Sequence, residues 1–179
     1  VVIAQADGAR YAAASDPQAT AQALGTISST ARSALADVRL LLTQLRHAQG
    51  EGPQPMLTDL EELYAQVRAA GVDLHVDVDP APAAEPPAAV QLAVYRILQE
   101  ALTNALRHGG GGAVVVRQAW WADRLELEVR NAAAAGVVPG AGHGVIGMRE
   151  RAQLVGGTLS AAAEGGAFIV RAMLPLWAA

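Results

Sequence analysis

The sequence contains no cysteine and no lysine, and aromatic residues make up only 4% of it. The missing cysteine excludes a disulfide framework, a thiol nucleophile and any zinc site built on thiolates. With so few aromatics, alanine, leucine and valine must fill the interior. Charge is sparse too, at 17% of the 179 residues with a net of -4, and all thirteen cationic side chains are arginine. No basic patch is evident, so the composition makes no case for a nucleic-acid partner. The longest stretch without formal charge, Asn131 to Met148, holds five glycines and Pro139, which makes it a mobile loop and not a membrane span. No signal-peptide pattern is visible.

What is present is apolar: 52% of the residues are hydrophobic. That suffices for one sizeable core, or for a core and a small satellite domain. The abundance of Ala, Gly, Pro and Arg suggests a high-GC bacterial gene. The opening VVIAQADGAR has no initiator Met and already follows an apolar helical pattern. We therefore expect Val1 to be a cut point inside a longer protein.

Residues 1–14 are expected to be helical, and Asp16-Pro17 marks a break with Pro at a first helical position. A long helix follows to about His47. Leu24, Ala31, Val38 and Leu45 take one heptad seam position, Ile27, Ala34 and Leu41 the other, and Leu35 and Leu42 widen the stripe. A two-helix hairpin with so broad a stripe is covered either by a second copy, giving a dimeric four-helix bundle, or by the rest of its own chain. AQGEGPQP (48–55) is a linker by composition. Beyond it the pattern predicts a short amphipathic helix at 57–70 closed by Gly71 and a strand at 72–78. A loop at 79–87 leads to a helix from Pro87 to His108. AVVVRQAW and RLELEVRN read as paired strands around Ala122-Asp123. A loop at 132–143 and a helix at 144–155 precede two strands that meet at Glu164-Gly165-Gly166. The fold class expected is α+β: a helical hairpin followed by an α/β sandwich, with helices on one face of a mixed sheet.

Two stretches carry chemistry. In LQEALTNALRHGGGG, Glu100 and Asn104 stand one turn apart on a largely apolar helix and point the same way. Their hard oxygens suit a Mg²⁺ ion that bridges phosphate; an exposed helix-surface pair accounts for the spacing equally well. Gly109 to Gly112 are expected to end the helix in a left-handed cap and start a strand. In GAGHGVIGMRERAQLVGG, Gly142, Gly144 and Gly147 match G-x-G-x-x-G letter for letter. The match does not make a dinucleotide fold, because a loop and not a strand precedes it. Bare amides leading into a helix N-terminus can hold an anion, and a glycine hinge is the alternative.

Taken together, LQEALTNALRH followed at this distance by GHGVIGMRERAQLVGG resembles the C-terminal part of two-component sensor histidine kinases, in the branch typified by nitrate and membrane-fluidity sensors. The resemblance spans essentially the whole chain, through ALADVRLLLTQLR and GVDLHVDVDP…VYRILQEALTN. It implies that residues 1–50 are the remainder of a dimerisation and phosphotransfer hairpin. Residues 56–179 would be a Bergerat-type ATP-binding domain, shared with gyrase and heat-shock-chaperone ATPases. Asn104 would ligate Mg²⁺, and Glu100 would act as base or polarise the site. Arg107 and His108 fall where the family often places a cation facing the phosphates, although a His capping a helix end is the plainer role for His108. Gly142, His143, Gly144 and Gly147 match the box that closes a lid over the triphosphate. Arg149 and Arg151, on the helix just after it, are expected in salt bridges rather than on the phosphates. The implied ligands are ATP and Mg²⁺. The implied partners are a second copy through the hairpin and a response regulator, with no nucleic acid and no membrane contact by this stretch. The implied location is the cytoplasm, with any membrane anchor in a region outside this sequence.

One motif departs from the family. Where the family has Asp-x-Gly-x-Gly, whose carboxylate accepts a hydrogen bond from adenine, this sequence has Asn131-Ala132-Ala133-Ala134-Ala135. Asn131 can still accept that bond, more weakly by about 1 kcal/mol. None of His47, His75, His108 or His143 stands in the family's phosphoacceptor motif, which is expected upstream of Val1. Two alternatives remain open: a degenerate, non-catalytic dimeric scaffold, and a serine kinase of the anti-sigma type, against which the long hairpin speaks.

Overall fold

The computed structural model describes residues 6, 10, 16–28, 54–80, 85–109, 112–133 and 143–177. The chain forms two compact units, one made mainly of Val1–Gly52 and the other of Pro53–Arg68 with Val72–Ala179. In the first unit, residues 17–28 are helical. The start is set locally: the Asp16 carboxylate accepts the Ala19 N–H at 2.9 Å, as an N-cap does, and Pro17 takes the first helical position. Leu24, on the predicted seam, is 56% exposed within the single chain. The remaining heptad residues, from Ala31 to Leu45, lie outside the described residues, as does most of the linker.

The second unit places three helices against one face of a five-stranded sheet. They are α1 (Leu60–Ala69), α2 (Ala88–His108) and α3 (His143–Leu154). The strands are β1 (Leu74–Val78), β2 (Val114–Trp120), β3 (Arg124–Ala132), β4 (Thr158–Glu164) and β5 (Ala167–Pro175), in the order β1-β2-β3-β5-β4. Only β1 and β2 pair in parallel, and α2 is the crossover that parallel pairing requires; the other pairs are antiparallel. The predicted mixed sheet with helices on one face is what the chain forms. Among the described residues, no helix is long and apolar enough to cross a membrane.

Alternation decides the inner face. On β3, Leu125, Leu127, Val129 and Asn131 are buried, whereas Arg124, Glu126 and Glu128 are half-buried and Arg130 is exposed. Opposite them in register, Leu174, Ala172, Val170 and Phe168 of β5 complete the same layer. The apolar stripe of α2, including Val94, Ile97, Leu98 and Leu102, lies on this layer almost without exposure. A fully buried side chain of this size contributes about 1.5–3 kcal/mol. Burial also reaches polar groups, and one pair of them meets inside the core: Gln118 Nε2 donates to the Tyr64 hydroxyl at 2.6 Å. Burial, and secondarily Glu61, pushes the Tyr64 phenol above its ordinary pKa. The outer face carries ion pairs instead, with Arg171 joining Glu164 at 2.8 Å and Glu128 at 2.9 Å.

Turn chemistry behaves as the sequence suggests at two places. Gly71, at φ 89°, closes α1, and Gly165-Gly166, at φ 56° and 78°, make the two-residue turn between β4 and β5. Two expectations need correction. Gly109 is not a left-handed cap: it is extended, at φ -66° and ψ 145°, and bridges to Ala133, while the positive φ in that run falls at Gly112. Glycine is required at Gly109 by space, because a Cβ there would collide with the Ala105 carbonyl oxygen. The loop expected from residue 132 also starts later, since Ala132 still pairs with Ala167 and Ala133 bridges Gly109. Alanine fits a strand well enough for the sheet to extend where glycine would have let the chain turn away.

Candidate functional site

The site is built where α3 begins against the outward side of α2. Glu100 and Asn104 are half-buried, on the one stripe of α2 that is not packed on the sheet. The backbone of Gly144 sits directly over both. A Cβ at Gly144 would run into the Glu100 Oε1 atom and come within 3.0 Å of Asn104 Nδ2. The carboxylate, the carboxamide and a side-chain-free helix start therefore share one small volume, which an alanine at residue 144 would fill. Val145 and Met148, buried on the same helix, hold α3 down at this place.

Asn131 lies beside the C-terminal end of α2. It is 7% exposed, and its Nδ2 donates to the Ala132 carbonyl at 2.8 Å. The same Nδ2 is 3.4 Å from the Cβ position of Gly109, so the β3 end and the α2 end touch here. The donor is thus engaged, and Oδ1 accepts no hydrogen bond among the described residues. Arg107 and His108 are exposed on the last turn of α2 and make no hydrogen bond or ion pair among the described residues. His143 opens α3, with only its backbone described, and Gly142 lies outside the described residues. Gly147 is crossed by the Arg151 guanidinium, whose Nη1 would be 3.0 Å from a Cβ there.

The expected salt bridges of Arg149 and Arg151 do not form among the described residues. Arg149 Nε donates to the Leu159 carbonyl at 3.5 Å instead. On this side of α2 the sequence reading passed over Arg96 and Gln99. Arg96 Nη1 donates to Gln99 Oε1 at 2.9 Å, and Gln99 is only 3% exposed. Burial lowers the Arg96 pKa from its ordinary value; Tyr95 opposes the shift and Arg151 adds to it. The available signal was an arginine one turn before Glu100 on a helix otherwise nearly free of charge.

A depression of about 640 Å³ lies elsewhere, over the outer face of the sheet, with Arg117, Glu126, Ser160, Arg171 and Met173 on its walls. Its charges are already paired, Arg117 with Asp77, Glu126 with Arg124 and Arg171 with Glu128, and none of the motif residues lines it. The chemistry gathers at α2 and α3.

A histidine kinase family model, HisKA_3, matches residues 1–50. The sensor histidine kinase LnrJ of Bacillus subtilis (strain 168) is 32% identical over 145 residues, which is 80% of this chain and 35% of that protein. The sensor histidine kinase YxjM of the same organism is 32% identical over 183 residues, covering 98% of this chain and 43% of that protein. The chain belongs to the sensor histidine kinases. This histidine kinase chain spans less than half the length of either relative. Its fold is also that of the solved histidine kinase domain from the Erythrobacter litoralis EL346 blue-light activated histidine kinase. The two share a TM-score of 0.55 at 22% identity, over 88% of this chain and 80% of the other. In this kinase chain the Gly144 contact with Glu100 and Asn104 joins two motifs that are distant in sequence.

Proposed function

We propose that the second unit holds Mg²⁺-ATP and that the whole protein transfers the γ-phosphoryl group to a histidine, for onward transfer to a response-regulator aspartate. The observation that carries this reading is the cradle formed by Glu100, Asn104 and the bare backbone of Gly144. Its donor set of carboxylate, carboxamide oxygen and helix-start amides fits a metal-bound phosphate chain. Asn104 would hold the Mg²⁺ ion, which when bound neutralises charge on the phosphates. Glu100 accepts the proton that the acceptor imidazole sheds as its nitrogen bonds to phosphorus and the bond from phosphorus to the bridging oxygen breaks. The barrier falls mainly through positioning and charge compensation. Asn131 offers Oδ1 to the adenine amino group. Arg107 and His108 stand toward the phosphates, and Gly142, His143, Gly144 and Gly147 supply the closing segment.

The acceptor is none of the four histidines of this sequence. His75 lies on β1 beside Asp73, His108 ends α2 and His143 opens α3, places that serve the fold or the nucleotide. His47 lies outside the described residues. Dimerisation runs through the helical hairpin, a reading supported by the exposure of Leu24 on its seam. The reaction takes place in the cytoplasm.

The test is calorimetric titration of this chain with a non-hydrolysable ATP analogue, with and without Mg²⁺. Binding is expected to depend on Mg²⁺ and to weaken at least about tenfold in N104A, the loss of one interaction with a charged group. Unchanged affinity and metal dependence in that variant would remove the foundation of the proposal. Incubation with labelled ATP should leave this chain itself unlabelled.

A second reading has its own observation. Ala132 stays in β3, and Ala133, where the family has its first glycine, bridges Gly109. A nucleotide domain altered in this way serves as a dimeric scaffold for partners. The titration separates the two, because a scaffold gives no heat at millimolar nucleotide.

A further inference from the structure

The carboxamide of Asn131, where the sequence departs from an aspartate, has a local chemistry of its own. Asn131 is the last buried residue of β3, at 7% exposure. Its Nδ2 donates to the carbonyl of the next residue, Ala132, at 2.8 Å. A carbonyl oxygen only accepts, so the nitrogen is the end of the carboxamide that faces it. Oδ1 is thereby left as the free end, without a hydrogen bond among the described residues. The Ala132 carbonyl is itself held by the strand. Ala132 pairs with Ala167 of β5, Ala133 bridges Gly109, and the Ala133 N–H donates to the Gly166 carbonyl at 2.9 Å. The backbone is thus fixed on both sides of that carbonyl, and the carboxamide lies against a partner that does not move.

An aspartate has no such partner in this place. Both of its oxygens accept, and one of them would stand where Nδ2 now meets the Ala132 carbonyl, acceptor against acceptor. A buried carboxylate also needs donors, or its desolvation goes uncompensated. The two backbone amides closest to hand are already engaged: the Gly109 N–H with the Ala105 carbonyl at 2.9 Å, and the Ala133 N–H with Gly166. The space on the nitrogen side is closed as well, since a Cβ at Gly109 would lie 3.4 Å from Nδ2.

We infer that Asn131 is matched to the extended path of Ala132 and is not a weakened aspartate. The strand carbonyl orients the carboxamide so that Oδ1 is a fixed, uncharged acceptor, and restoring an aspartate in this chain makes the site worse. The inference rests on the nucleotide reading of the cradle on α2 and α3. It carries a specificity with it. A purine that brings an exocyclic amino donor satisfies Oδ1 as the carboxamide stands. A purine with oxygen in that place sets acceptor against acceptor, unless the carboxamide flips and gives up its bond to Ala132.

The test measures ADP and inosine diphosphate, each with Mg²⁺, by calorimetry on the 179-residue chain and on its N131D and N131L variants. The unaltered chain is expected to bind ADP at least about tenfold more tightly than inosine diphosphate. N131D is expected to bind ADP about tenfold more weakly than the unaltered chain and to melt lower, because its carboxylate is buried without a donor. N131L keeps the shape and loses the acceptor, so its preference between the two ligands should disappear. Should N131D fail to fold, the comparison with N131L decides alone. A folded N131D that binds ADP as well as the unaltered chain, or better, overturns the inference while the nucleotide site stands. So does an unaltered chain that takes both ligands equally, or an N131L that still prefers ADP. If the unaltered chain binds neither ligand, the nucleotide reading falls and this inference with it.

Discussion

Gly144→Ala separates the site from the fold more cleanly than any other single change. The new methyl group would occupy the space now held by Glu100 Oε1 and press on Asn104 Nδ2, at 3.0 Å. Both atoms are far ends of side chains, so they can swing away, at a cost of about 0.5–1.5 kcal/mol for an off-rotamer carboxylate. Against this, alanine is better than glycine in a helix by up to about 0.8–1.0 kcal/mol, less in a first turn. Gly144 has no positive φ, so its backbone adds no strain. The two effects nearly cancel, and thermal unfolding should move by no more than about 4 °C. Nucleotide binding should suffer far more. Displacing the carboxylate and carboxamide together removes at least one interaction with a charged ligand, about 1.5–3 kcal/mol, or roughly 10- to 150-fold in affinity. Calorimetry with the ATP analogue and a melting curve on the same preparation read both quantities. A variant that keeps full affinity would show that the cradle is not where the nucleotide sits. One that melts far lower would show that the contact serves packing.

Two further outcomes follow from the core and the outer face. Tyr64→Phe deletes the acceptor of Gln118 Nε2, whose bond is 2.6 Å long and buried. The unpaired amide should cost about 1–3 kcal/mol by urea denaturation, without changing nucleotide affinity. On the outer face, the hydrogen bonds from Arg171 hold the Glu164 carboxyl below its ordinary 4.5. A carboxyl with a depressed pKa contributes stability above its unfolded value and loses it as the pH falls through the folded value. The advantage of the unaltered chain over E164Q in denaturant midpoint should therefore shrink as the pH drops below the ordinary value, and shrink with added salt at neutral pH. A difference independent of pH would refute this pairing.

Most of the second unit was readable because local rules and the global fold agree in it. The α2 stripe of Val94, Ile97, Leu98 and Leu102 has helical spacing and packs as that spacing requires. Alternation on β3 and the paired glycines at 165 and 166 did the same for the strands. The readings that failed involved residues whose neighbours come from elsewhere in the chain. Gly109 looked like a left-handed cap, but a bridge to Ala133 draws it into an extended shape. Ala132 looked like loop until β5 offered it a partner, Ala167. Arg151 looked like half of a salt bridge, yet its guanidinium lies across Gly147.

Periodicity, caps and turn residues are carried by short stretches of chain, so the sequence by itself determined the elements, their inner faces and the two motifs. It also placed Glu100 and Asn104 on one side of a helix, because an i, i+4 pair has no other arrangement. The packing of α3 on α2 alone decided that Gly144 closes over that pair. A glycine's missing side chain has consequences only through what stands opposite it, and that is a property of the folded chain.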